Sequence, residues 1–198
     1  MQELVGNESR RQFLQNMIDK QKVTHSYLFY GIEGIGKTIF AREFAKTLLC
    51  DEKQNKPCEK CSSCQTFVEN NHPDFMQIEP DGKTIKIEQI RNLQEKIAEK
   101  PIRSNYKIYI IKDADTMTKE AQNSLLKTLE EPPSYAVLIL VASNENRLLN
   151  TILSRCIKIS FLPIENNVLK EYMQTHYQVS LSENELAVCA GSVGRAIS

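Results

Sequence analysis

Gly31-Ile32-Glu33-Gly34-Ile35-Gly36-Lys37-Thr38 is a complete phosphate-binding loop of the pattern G-x-x-x-x-G-K-[ST]. Each part has a physical duty. Gly31, Gly34 and Gly36, with Ile35 carried between them, let the backbone wrap closely enough to aim its N–H groups at a β-phosphate. Lys37 adds a point charge at the β/γ oxygens, and the Thr38 hydroxyl can hold Mg²⁺. The flanks agree with this reading. His25 to Tyr30 reads as a short strand, and Ile39 to Leu49 as a helix, which is the arrangement that sets a phosphate on a helix N-terminus. ATP or ADP with Mg²⁺ is the expected ligand.

Working outward, helical spacing at Phe13, Leu14, Met17 and Ile18 predicts a helix before the loop, over residues 8–20. After it, Asp74 to Ile78 alternates like a strand and Glu79-Pro80-Asp81-Gly82 is a turn. Ile87, Ile90, Leu93 and Ile97 mark a helix stopped by Pro101. Tyr106 to Ile111 and Val137 to Val141 are apolar strands flanking a helix over Lys119 to Glu130, and Cys156 to Phe161 is a further strand. Strands alternating with helices predict an α/β fold whose parallel sheet is covered on both faces. From Pro163 only helices follow, one over Asn166 to Tyr177 and another opened by a capping box at Ser182 and Glu185. The expected division is a nucleotide-binding domain over residues 1–162 and the start of a small helical lid domain over residues 163–198.

Composition narrows the class. The chain has 198 residues, 41% hydrophobic and 25% charged, with a formal net charge of zero. That balance argues against broad attraction to nucleic acid. No apolar run approaches the ~20 residues of a membrane span, and no signal peptide opens the chain, so a cytoplasmic protein without a membrane partner is expected. Lys83, Lys86, Arg91 and Lys96 are interleaved with Glu88, Glu95 and Glu99, the pattern of a solvated helix face rather than a DNA-binding stripe.

Of six cysteines, Cys50, Cys58, Cys61 and Cys64 form C-x7-C-x2-C-x2-C, an insertion over about residues 50–66. Sulfurs at these gaps converge easily, and four thiolates suit Zn²⁺ at about 2.3 Å. A ferredoxin run would continue C-x3-C-P, and Val68 stands there instead. A closed set of four cysteines leaves no open position, so the expected role of the zinc is structural. Cys156 and Cys189 sit in apolar runs and are expected in the core.

These residues carry a specific likeness. The cysteine insertion after the phosphate-loop helix, Asn123-Ser124-Leu125-Leu126-Lys127-Thr128-Leu129-Glu130-Glu131-Pro132-Pro133 and Thr151-Ile152-Leu153-Ser154-Arg155-Cys156 together resemble the bacterial clamp-loader branch of AAA+ proteins, over residues 4–198. The resemblance implies a P-loop AAA+ domain in a heteromeric assembly that uses ATP to close a ring-shaped sliding clamp around primed DNA. It implies gamma/tau and delta subunits as partners and a collar domain beyond residue 198, without which the chain is expected to be monomeric. It also implies that Arg155 reaches the ATP of a neighbouring subunit as an arginine finger in trans. Asn71-His72-Pro73-Asp74, Pro80-Asp81-Gly82 and the stretch Ile85 to Arg91 look like a stator-type subunit of that assembly, and the opening lacks the Tyr-Arg-Pro lead-in of the motor.

Hydrolysis needs more than a phosphate loop. The family places Asp-Glu at the end of a central strand, one to organise Mg²⁺ and one to activate water. Those positions fall here on Lys112 and Asp113, and a lysine beside a cation weakens it. A one-residue shift brings Asp113 to the metal with Asp115 nearby. The polar sensor at the end of the next strand maps to Ser143 or Asn144. The second sensor, an arginine in Gly-Ser-x-Arg, meets Gly194, with Arg195 one step late. The expectation is a stator that binds nucleotide and turns it over poorly or not at all. The competing readings are a self-sufficient motor ATPase of the gamma/tau type and a small-molecule kinase, the latter lacking a lid with clustered arginines.

Overall fold

Alternation along the strands decides how the two halves of the core form. In β3 (Lys107–Ile111), Tyr109 and Ile111 face one side of the sheet, and Ile108 and Ile110 the other. β4 (Ala136–Ala142) does the same, with Leu138 and Leu140 opposed to Val137, Ile139 and Val141. Both strands are buried along their whole length, which is why they read as continuous apolar runs and why both faces must be covered by helices.

The computed structural model describes residues 5–53 and 55–197. β1 (Ser26–Tyr30), β2 (Phe75–Ile78) and β5 (Ile157–Ser160) complete a five-stranded, all-parallel sheet of order β2-β3-β4-β1-β5. One face packs on α1 (Glu8–Asp19), α2 (Lys37–Leu49) and α3 (Ser62–Val68) through Leu14, Phe40, Phe44 and Phe67. The other packs on α4 (Ile87–Ala98), α5 (Lys119–Glu130) and α6 (Asn150–Leu153) through Ile90, Leu93, Leu125 and Ile152. A third apolar cluster, of Ile164, Leu169, Met173 and Leu186, holds α7 (Asn166–Tyr177) and α8 (Glu183–Cys189) together, with α9 (Val193–Ile197) packed at its edge through Val193 and Ala196.

The element pattern expected from sequence is present, with boundaries shifted by a residue or two. The one shift with chemical meaning is α2, which begins at Lys37 rather than Ile39. Lys37 and Thr38 thus form its first turn, where N–H groups have no intrahelical partner. The capping box at Ser182 is formed, the Glu185 carboxylate accepting the Ser182 N–H at 2.8 Å. Cys189 is buried, whereas Cys156 is half-buried against the α5/α6 side of the core, where burial pushes its thiol up to about 12.

Because all strands are parallel, the sheet has two unlike edges. The C-terminal edge carries the phosphate loop after β1 and the turns after β3 and β4. The N-terminal edge carries the end of α2, the cysteine insertion and the residues that precede β2, β3 and β5.

Candidate nucleotide site and cysteine centre

The loop between β1 and α2 lies at the point where the chain leaves β1 with β4 on one side and β5 on the other. In open parallel sheets, ligand crevices form at such a switch of strand order. Gly34 (φ +75°) and Gly36 (φ +91°) take left-handed conformations that a side chain resists, and Gly36 is the residue that caps α2. A cavity of about 750 Å³ opens here, lined by residues 33–40 of the loop and α2, by Lys112, Asp113 and Ser143, and by Ile164, Tyr172 and Arg195 from the segment beyond β5. That volume falls within the range of small-molecule and cofactor sites.

Lys37 is buried, and its ammonium donates to the carbonyls of Gly31 and Ile32 at 2.7 and 2.8 Å and to Ser143 Oγ at 3.4 Å. Burial pushes its pKa down, opposed by the carboxylates of Asp115, Asp113 and Glu33. Asp113 has a left-handed backbone (φ +50°) directly after the first residue beyond β3, and burial raises its carboxyl, opposed by Lys112 and Lys37.

Lys112 lines the cavity, and both its backbone and its ammonium are engaged with β2. Its backbone N–H extends the sheet to Ile78, and its ammonium lies 3.7 Å from Glu79 at the end of β2. Asp115 is occupied as well. Its two oxygens accept the N–H groups of Ser143 and Asn144 at 3.2 and 3.1 Å, pinning the β4 turn. Of the two sensor candidates, Ser143 is the one at Lys37, whereas the Asn144 side chain accepts the Asn146 N–H at 3.1 Å.

The cysteine centre forms where α2 ends. Cys50 caps that helix, Cys61 caps α3, and the Sγ atoms of Cys50, Cys58, Cys61 and Cys64 all lie within 4.8 Å of one another. Cys50 and Cys61 are 3.9 Å apart, close to the ~3.8 Å edge of a tetrahedron with Zn–S bonds of about 2.3 Å. Three sulfurs accept backbone N–H groups: Cys50 from Cys58 at 3.5 Å, Cys58 from Cys61 at 3.3 Å and Cys61 from Cys64 at 3.4 Å. The backbone N–H of Lys60, helped by that of Cys61, brings the half-buried Cys58 thiol down to about 7, while burial raises those of Cys50 and Cys64. The donor set, its convergence and its N–H support fit a soft divalent ion such as zinc.

Arg155 stands at the other edge of the sheet from Lys37. It precedes β5, and the stretch from Arg155 to Phe161 spans roughly 20 Å at about 3.3 Å per strand residue. Phe161 N–H, donating to the Tyr30 carbonyl at 2.7 Å, marks the phosphate-loop end. The guanidinium donates to Glu130 Oε1 at 2.7 Å and to the Thr151 carbonyl at 2.8 Å, and it is exposed. It cannot reach the cavity of its own chain.

The sequence profile described as "DNA polymerase III, delta subunit" matches residues 6–165. The chain belongs to that family. It is 42% identical over 158 residues to DNA polymerase III subunit delta′ of Bacillus subtilis, covering 80% of this chain and 48% of the relative. With DNA polymerase III subunit tau of the same organism it shares 31% over 195 residues, covering 96% of this chain and 34% of the relative. The chain thus spans about half or less of the length of these curated relatives. Among solved structures, a DNA polymerase III gamma subunit-related protein from Thermotoga maritima superposes with a TM-score of 0.60 at 24% identity, covering 93% of this chain and 56% of that one. RuvB, the Holliday junction branch migration motor of the same organism, gives 0.62 at 16%, covering 100% and 61%. At these identities the structures share the fold alone, the parallel AAA+ sheet flanked by helices.

Within this delta-family domain, the segment Asn71 to Asp74 has a role that sequence reading did not identify. The fully buried Asp74 accepts three successive N–H groups, from Ile102, Arg103 and Ser104 at 2.6, 2.9 and 2.8 Å. His72 Nδ1 accepts the Asp74 N–H at 3.1 Å, so its Nε2 carries the proton and donates to Ser63 Oγ at 2.7 Å. The Ser63 hydroxyl in turn donates to the Leu49 carbonyl at 2.5 Å. Burial lowers the His72 pKa, opposed by Asp74, in the direction this chain of hydrogen bonds favours. The motif ties α2, the cysteine module and the loop before β3 into one piece. Its signal in the sequence was a histidine and an aspartate two residues apart ahead of a half-buried strand, with their other partners distant in the chain.

Proposed function

We propose that the protein is a stator subunit of the delta′ type in a bacterial clamp loader, in the cytoplasm, working with gamma/tau and delta subunits to load a sliding clamp onto primed DNA. The phosphate loop, through Gly31, Gly34, Ile35, Gly36, Lys37 and Thr38, holds ATP or ADP with Mg²⁺ as a resident ligand. Asp113 and Ser143 face that ligand, and hydrolysis is slow or absent. Zinc, on Cys50, Cys58, Cys61 and Cys64, keeps the insertion folded. Residues 163–198 act as the beginning of a lid domain.

The observation that carries this reading is the separation of Arg155 from Lys37 across the sheet. A guanidinium roughly 20 Å from its own phosphate loop, exposed and held by a single carboxylate, is suited to a neighbour's nucleotide. There it stabilises charge on the transferring phosphoryl oxygens. The weak hydrolytic set supports the same view. A second reading, a motor of the gamma/tau kind, draws on the intact loop and on the 31% identity to tau. It asks for a metal-organising carboxylate where Lys112 stands, paired with Glu79.

The test is reconstitution with gamma/tau and delta subunits of the same genome, followed by steady-state ATP hydrolysis with and without Arg155→Ala. A fall in turnover by the assembly, with assembly itself intact, supports the stator. Unchanged turnover by the assembly, with loss of hydrolysis in the isolated protein, contradicts it.

A further inference from the structure

Four consecutive carbonyls of the phosphate loop are each met by a donor. Lys37 takes those of Gly31 and Ile32. The next two are taken by the segment that opens α9. Ser192 Oγ donates to the Glu33 carbonyl at 2.9 Å, and the Gly194 N–H donates to the Gly34 carbonyl at 2.9 Å. The Ser192–Glu33 bond joins residues 159 positions apart, so this is tertiary docking and not a local turn. Ser192 is fully buried, and its oxygen also accepts the Arg195 N–H at 3.2 Å.

The approach is as close as backbone allows. A methyl group on Gly194 would meet Gly34 Cα at 2.7 Å and the Gly34 carbonyl oxygen at 3.1 Å, and one on Gly34 would overlap Ser192 Oγ. Gly194 stands where the family's second sensor would carry an arginine. Its replacement by glycine is therefore more than a lost side chain, because it lets a helix start against the loop itself.

The consequence follows from peptide geometry. In a planar trans peptide, the carbonyl of one residue and the N–H of the next point to opposite sides. Fixing the carbonyls of residues 31–34 on donors sets the N–H groups of residues 32–35 on the other side, free for phosphate oxygens. We propose that Ser192 and Gly194 are positioning residues for the nucleotide site, docking the helical segment onto the phosphate loop so that docking and phosphate binding reinforce each other. This rests on the reading of the loop as a nucleotide site. By linkage, a nucleotide that prefers the docked loop must tighten the docking by the same factor.

The experiment is binding of a fluorescent ADP analogue, at equilibrium and by stopped-flow dissociation, to the parent protein and to Gly194→Ala, Ser192→Ala and Lys37→Ala, with melting curves for each. Gly194→Ala is the sharper probe, since it improves helix propensity and deletes no polar group; only the approach to Gly34 is obstructed. Both Gly194→Ala and Ser192→Ala are expected to bind about tenfold more weakly, chiefly by faster dissociation, as befits the loss of a hydrogen bond or two. Their Tm should rise less with nucleotide than that of the parent. Affinities within twofold of the parent, with only the nucleotide-free Tm lowered, would make the contact merely structural and overturn the proposal. A parent that binds no nucleotide, or a Lys37→Ala protein that binds as well as the parent, would instead remove the premise, and the two failures are told apart by the Lys37 variant.

Discussion

The two edges of the sheet are built from the same five parallel strands, yet they are finished in different ways. At the C-terminal edge, glycines at positive φ, a lysine turned onto loop carbonyls and a cavity of about 750 Å³ make a place for a ligand. The turns there are short, and their carboxylates are shared. Asp115 is committed to the β4 turn, and Asp113 is raised by burial. At the N-terminal edge, one set of buried polar groups ties neighbouring segments together instead. Asp74 holds three N–H groups, His72 and Ser63 relay to the end of α2, and four sulfurs converge beyond it. Arg155 projects from this edge as well, on Glu130 and Thr151. Binding needs a loop that a ligand completes, whereas a group offered to a neighbour needs a frame that is complete already.

Substitutions at the two edges should therefore fail in different ways. The largest effect is expected from Arg155→Ala in the reconstituted assembly, a loss of roughly 10³-fold or more in turnover at the site it serves, with the melting temperature of this protein unchanged. Steady-state hydrolysis beside a thermal melt checks both halves. Next, Cys61→Ser leaves three thiolates and should release the metal, measured by elemental analysis. Stability should fall by about 3 kcal/mol, because the module loses the ion that orders it. Nucleotide affinity at the far edge should change little.

Lys37→Ala should weaken nucleotide binding by roughly 50- to 100-fold, through loss of a charge-assisted contact in a buried site, while the N-terminal edge keeps its metal. Asp74→Asn should cost about 2 kcal/mol in urea unfolding, since an amide cannot accept three N–H groups as a carboxylate does. The smallest effect is expected for Glu130→Ala. The Arg155–Glu130 pair is exposed, so folding stability should move by less than about 1 kcal/mol. A change of a few-fold in turnover by the assembly would then show that Glu130 sets where Arg155 waits.

How much of this was legible in the chain depended on the distance over which each feature is encoded. The phosphate loop, the cysteine spacing and the strands are local patterns, each legible within 15 residues or fewer. The sequence pattern sets the α2 start two residues late, because Lys37 and Thr38 read as loop chemistry while forming a helical turn. Lys112 directly follows β3, yet its side chain turns to Glu79, a residue whose proximity depends on the pairing of β2 with β3. The same holds for Asp74 with residues 102–104, Arg155 with Glu130 and Ser192 with the loop. Each is a pairing between segments that only the folded sheet brings together, and no periodicity announces it.

The central claim is that the C-terminal edge binds nucleotide without consuming it. The most direct measurement is an ATP and ADP titration of the isolated protein, with and without Mg²⁺, with steady-state hydrolysis on the same preparation. Saturable binding that Lys37→Ala weakens by roughly 50- to 100-fold, together with negligible turnover, is the predicted result. Turnover that disappears with Lys37→Ala would contradict it and make this chain an ATPase in its own right.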